Sequence, residues 1–186
     1  MNLLENDLAE KSVFKTENKK RLVIRNHPKD YPVYKIRLDK LFYNDQNDRI
    51  STWISRYKME NGIDKIDYSN KENYNEIIHK FITESNRDAL KKTQQNIKAI
   101  GQVEAGVVLL DGRIIDGNRR FTCLRNIEKE THKEQYFEAV ILDYSIENNE
   151  KDIKMLELML QHGVDEKVGY SPIERLVGIY HDIVET

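Results

Sequence analysis

The spacing of apolar and polar positions changes character along the chain. Val33-Tyr34-Lys35-Ile36-Arg37-Leu38 alternates between the two, the period of a strand with one buried face. Leu22-Val23-Ile24 is a shorter apolar run and a candidate first strand, and Pro28 and Pro32 mark the stretch between the two runs as a loop. Further on the period lengthens. Ile50, Trp53, Ile54 and Tyr57 recur at helical spacing, and Gly62 stops that helix. Ser69 and Glu72 fit a capping box ahead of Tyr74, Ile77, Ile78, Phe81 and Ile82, the clearest amphipathic stripe in the chain. Ser85 or Asn86 caps a further helix that runs to Ile100 and ends at Gly101.

The next segment returns to strands. Val107-Val108-Leu109-Leu110 reads as buried, Asp111-Gly112 is a two-residue hairpin signal, and Arg113-Ile114-Ile115-Asp116 is the return strand. Gly117 then opens a helix with Phe121, Leu124 and Ile127 inward, and the run from Phe137 to Leu142 predicts another strand. Ile153, Leu156 and Leu160 mark a helix, and Ser171-Pro172-Ile173-Glu174 has the N-cap, first-turn proline and third-position glutamate that start a last one. The sum is a mixed α/β or α+β fold, a small mixed sheet surrounded by helices. Weak periodicity predicts a flexible arm over 1–20. A core follows over 21–145, and a helical segment over 146–186 leads to a further domain or an oligomer contact.

Charge changes the picture little. Charged residues make up 33% of the 186, but they nearly cancel to a formal −2, which excludes a globally basic nucleic-acid binder and leaves room for a local basic patch. No stretch is apolar for long enough to span a bilayer, no signal peptide is evident, and a single cysteine excludes an intrachain disulfide. A cytoplasmic protein with no membrane partner is the simplest expectation. The histidines show no zinc-site spacing, and neither a P-loop nor a dinucleotide-binding glycine pattern occurs.

The chemistry concentrates at Gly117-Asn118-Arg119-Arg120. A hairpin delivers the chain to a helix N-terminus, where backbone N–H groups lack acceptors and the dipole is positive. Glycine lets a phosphate approach that backbone. Two arginines in the first turn oppose the dipole, and an anion between them would resolve the conflict. Alternatively one arginine pairs with Asp116 or Asp111 and the other is solvated.

The order of these features resembles the N-terminal domain of ParB proteins, in the ParB/sulfiredoxin superfamily. Gly101-Gln102 to Val108, the Asp111-Gly112 hairpin and Ile114-Ile115-Asp116-Gly117-Asn118-Arg119-Arg120 match that family's helix end, strand and phosphate motif. Val33 to Leu41 with Asn47-Asp48-Arg49 is similar to its first strand and Asn-x-Arg segment, and Ser171 to Glu174 to a later helix start. The resemblance implies a nucleotide-binding switch domain for CTP or ATP with Mg²⁺. Gly117, Asn118, Arg119 and Arg120 would hold the phosphates, Gln102 and Arg49 further parts of the nucleotide, and Glu157, four residues before Gln161, the metal. It also implies a DNA-associated protein, with DNA bound through another domain or a basic patch, and a homodimer. The family's glutamate tied to hydrolysis is Asn118 here, which leaves at most weak NTPase activity as the expectation. Asn118 also stands where sulfiredoxins carry their cysteine, and Cys123, a turn later, belongs to the core.

Two other classes stay open. One is an enzyme of this fold, an ATP-dependent phosphotransferase or nuclease-like protein, with Asp116, Asp48 or Glu104 as the base by sequence proximity. The other is a non-catalytic adaptor whose arginines meet DNA phosphate or a partner carboxylate. Lys19-Lys20-Arg21 and Lys91-Lys92 read as solvated faces that could add phosphate contacts.

Overall fold

A computed structural model describes residues 2–4, 11–24, 27–143 and 154–160. Five strands form one mixed sheet in the order β1-β2-β5-β3-β4, an α+β architecture. β1 (Val13–Ile24) and β2 (His27–Arg37) make an antiparallel pair, and β2 continues antiparallel onto β5 (Tyr136–Leu142). β5 runs parallel to β3 (Gly106–Leu109), which pairs antiparallel with β4 (Ile114–Asp116) through a register shift.

β1 replaces the expected arm with strand from Val13 to Lys20. Val13 and Leu22 are buried at either end of the strand, and Leu3 is buried with its N–H on Leu110 O at 2.9 Å. The lysines between Val13 and Leu22 hid the strand because β1 is the sheet edge, where charged residues discourage pairing with another chain. The expected proline loop is strand as well. Pro28 and Pro32 pair with Val23 and Lys19 of β1, whereas β5 takes up β2 only from Val33. The prolines therefore lie where one side of β2 has no neighbour and a missing N–H breaks no ladder.

α1 (Ser51–Asn61) ends at Gly62, whose φ of 63° is the left-handed C-cap expected of it. α2 (Lys71–Ser85) buries Tyr74, Ile78, Phe81 and Ile82, the anticipated stripe. Its cap is Asn70, which accepts from Asn73 N at 3.1 Å, and not Ser69, whose hydroxyl donates to Asp67 at 2.7 Å. α3 (Arg87–Ile100) is capped by Asn86 and α4 (Asn118–Thr131) follows β4 through Gly117.

Two apolar clusters hold the sheet. The larger joins Ile36, Val108, Ile114 and Phe137 of the strands to Ile54, Ile78, Phe121 and Leu124 of the helices. The smaller joins Val33, Val107, Ile115 and Val140 to Leu156 and Leu160, which lie on the helical stretch 154–160. Alternating strand residues thus feed the two clusters, so both faces of the sheet are covered and β3, like β5 from Ala139 onward, reads as a continuous apolar run. No described helix is long and apolar enough to cross a membrane. Gln161, Ser171, Pro172, Ile173 and Glu174 lie outside the described residues.

Candidate anion site at the start of helix α4

β4 carries the chain into Gly117, which adopts φ 108°. A Cβ at this position would stand 2.7 Å from Phe137 Cζ and 3.2 Å from Arg120 Nη2, so both conformation and space require glycine. The α4 N-terminus has no side-chain cap and no acidic residue in its first turn. Its positive dipole end is thus left to whatever approaches from outside the helix. Asn118 is buried, and its Oδ1 has no hydrogen-bond partner, a cost of about 1–3 kcal/mol for a group shut from water.

The structure separates the two arginines. Arg120 is already engaged: Nη2 donates to Asp116 at 3.0 Å and Nη1 to Glu104 O at 2.7 Å. It braces the β4–α4 junction, which is the arrangement expected if one arginine paired with Asp116. Arg119 has no ion pair among the described residues. Burial, and then the charge of Arg49, pull its pKa below the usual guanidinium range. Arg49 follows Asp48 in the short 3₁₀ turn Asp48–Ile50, its N–H on Asn47 Oδ1 at 3.0 Å, and it too lacks a carboxylate partner among the described residues. Arg49, from a distant part of the chain, thus lies near enough for its charge to act on Arg119, and neither has an ion pair among the described residues.

Lys20 joins the same junction. Its ammonium lies 3.7 Å from Asp116 and donates to Ala105 O, and burial lowers its pKa. Sequence reading placed it on a solvated face, although its spacing of two from buried Leu22 puts it on the same side of β1. Asp116 thus answers to two cations, Lys20 and Arg120. The side chain of Asp48 lies outside the description, and Glu104 enters the junction through its backbone carbonyl.

Gln102 is fully occupied. Nε2 donates to Glu138 O at 2.7 Å and to Glu104 O at 2.9 Å, while Oε1 accepts from Glu138 N at 2.9 Å. β3 begins opposite Ala139, so the Gln102 amide pairs with β5 one residue before the β3 backbone does. In this state it is a sheet-completing residue.

Glu157 is 2% exposed and stands 3.7 Å from Lys154 Nζ. That ammonium also donates to Gln46 O at 2.9 Å, which ties residues 154–160 to the segment leading to Arg49. No group of three His, Cys, Asp or Glu side chains gathers among the described residues. A single carboxylate still suits magnesium, which is commonly held by one or two carboxylates, substrate phosphates and water. Cys123 is buried, its Sγ 3.5 Å from Leu90 O and its thiol pushed up to about 12 by burial, so it is an unreactive core residue.

The arrangement offers Arg119, without an ion pair among the described residues, at an uncapped helix end whose junction with β4 is held by Lys20, Asp116 and Arg120. No protein-family model matches the chain, and no curated protein matches it either.

Proposed function

We propose that the protein binds a nucleoside triphosphate with its phosphates at the start of α4, as a ParB-like nucleotide switch domain. The observation that carries this reading is the uncapped N-terminus of α4, opened by Gly117 and free of acidic residues in its first turn, where Arg119 has no ion pair among the described residues and feels the like charge of Arg49. A phosphate chain would relieve their repulsion through charge-assisted hydrogen bonds and meet the free N–H groups of α4. Magnesium would neutralise phosphate charge, with Glu157 as its protein ligand. CTP or ATP is the expected nucleotide by the ParB resemblance. Asn118 in place of the family's glutamate, and an Asp116 held by two cations, favour binding over turnover. Nucleotide occupancy would then bias contacts with DNA or a second copy by stabilising one arrangement of the segments that meet here.

Titration calorimetry with CTP, ATP, GTP and UTP, each with magnesium, tests the proposal on the wild type and on Arg119→Ala, Arg49→Ala and Arg120→Ala. One charge-assisted contact is worth about 1.5–3 kcal/mol, so either of the first two variants should weaken the preferred nucleotide roughly ten- to a hundredfold. Arg120→Ala should chiefly lower stability. Binding indifferent to Arg49 and Arg119 would move the site elsewhere. No binding of any nucleotide by folded protein would refute the proposal and favour an adaptor.

A further inference from the structure

The opposite end of β4 borders a second feature. A cleft of about 270 Å³ opens between the segment after β2 and the loop before α2, with Phe42, Asn44, Asp45, Lys58, Tyr68 and Arg113 among its walls. Lys58 and Arg113 line it together with the carboxylate Asp45. That carboxylate already accepts from Gln46 Nε2 at 3.2 Å. Asn44 is 1% exposed, and its Oδ1 accepts from Gln46 N at 3.2 Å, which fixes Nδ2 as the other atom of the amide; that donor has no partner. Arg113 Nε is likewise buried without a hydrogen bond, with Asp111 Oδ2 only at 3.8 Å. Lys58 has no ion pair among the described residues.

The wall beside these donors is aromatic. Phe42 and Tyr68 stack with centroids 6.3 Å apart, and the Arg113 guanidinium lies over both, 5.4 Å from the first and 5.8 Å from the second. The stack holds the guanidinium plane in place, an arrangement suited to bidentate recognition of an oxyanion. Asn44 Nδ2 and Arg113 Nε are closed to water, so a ligand oxygen must part the wall to reach them. Tyr68, half exposed on the irregular stretch before α2, is the side free to move.

We infer that this cleft is a second binding site, for a small molecule carrying a phosphate or carboxylate group held by Arg113, Lys58 and the Asn44 amide. It stands apart from the nucleotide reading, since none of its ligands is Arg49, Arg119 or a residue of α4.

The test is a nitrogen-15 NMR titration of the whole chain with inorganic phosphate and, separately, malonate. It follows the Asn44 side-chain amide and the Arg113 Nε–H signal. Saturable shifts of both with either probe support the site, and which probe acts assigns phosphate or carboxylate. The affinity should fall roughly tenfold or more in Lys58→Ala, which removes one charge-assisted contact. It should fall also in Arg113→Gln. Should the latter fail to fold, Lys58→Ala decides alone, because its side chain supports no packing cluster. Neither probe shifting these signals would overturn the inference. So would an unchanged affinity in Lys58→Ala. Loss of the shifts in the Arg49→Ala/Arg119→Ala double variant would place the anion at α4 and overturn it too, whereas failure of nucleotide to bind leaves it untouched.

Discussion

Replacing Gln102 by leucine separates a sheet-completing role from a nucleotide-binding one. The substitution keeps much of the side-chain volume and removes three hydrogen bonds, two of them to the backbone of Glu138. Each such bond contributes about 1 kcal/mol net, and the orphaned N–H and C=O of Glu138 recover part of the loss from water because the position is only half-buried. The expected cost is therefore about 2–3 kcal/mol. With a urea slope of about 2 kcal/mol per M, the midpoint should fall by roughly 1 M with the slope unchanged. Gln102→Glu should be worse by about 1 kcal/mol. It keeps an acceptor for the Glu138 N–H but sets a second oxygen against two carbonyls. Hydrogen exchange at the Glu138 amide should accelerate in Gln102→Leu by more than the loss of global stability explains, while amides deep in β5 hasten only in step with that loss. The reasoning fails if the midpoint hardly moves. It fails also if nucleotide affinity collapses while stability is untouched, since the amide would then be serving a ligand.

Two further outcomes follow from the same packing. Gly117→Ala combines a left-handed φ with a Cβ 2.7 Å from the Phe137 ring, and should destabilise by about 2–4 kcal/mol, read as a lowered urea midpoint; a change below about 0.5 kcal/mol would show that the junction yields freely. His79 packs beside the Tyr43 hydroxyl at 3.3 Å, and burial followed by the charge of Arg125 lowers its pKa to about 4. The unfolded chain then binds the proton first, so this contribution to stability is complete above about pH 6.5 and is lost as pH falls toward 4. Discounted for the partial exposure of the ring, the loss is on the order of 1–2 kcal/mol. It should appear as a difference between pH 7.5 and pH 5 that shrinks in His79→Gln, and an equal drop in both proteins would assign the effect to carboxylates.

The helices and β3, β4 and β5 were legible because their burial follows one simple period: Ile78 and Phe81 face one cluster, and Val107 to Leu109 are buried on both sides. β1 was not, because an edge strand has only its few inward residues to announce it and Lys15 to Lys20 face outward or toward ions. The site was half legible. Gly117 and the uncapped helix end could be read from local chemistry. The separation of Arg119 from Arg120 could not, because it depends on where Glu104 O and Arg49 lie, and those positions are set by packing between distant segments. The bonds of Gln102 to β5 were hidden for the same reason. A glutamine side chain that imitates a backbone peptide leaves no mark in the sequence, and only the start of β3 at Gly106 shows why it is needed.

The place of β5 in the sheet also orders the birth of the protein. The β1–β2 and β3–β4 pairs are each local, yet their backbones are joined into one sheet only through β5, where Val33 and Val107 both pair with Val140. A chain emerging from the ribosome can close the first hairpin early, but must keep its apolar inner edge unpaired for about a hundred residues of synthesis. A nascent chain halted before Tyr136 would hold two half-sheets with no strand between them. Each would offer an open edge to any neighbour, so the short stretch from Tyr136 to Leu142 is the point at which synthesis turns two aggregation-prone pieces into one domain.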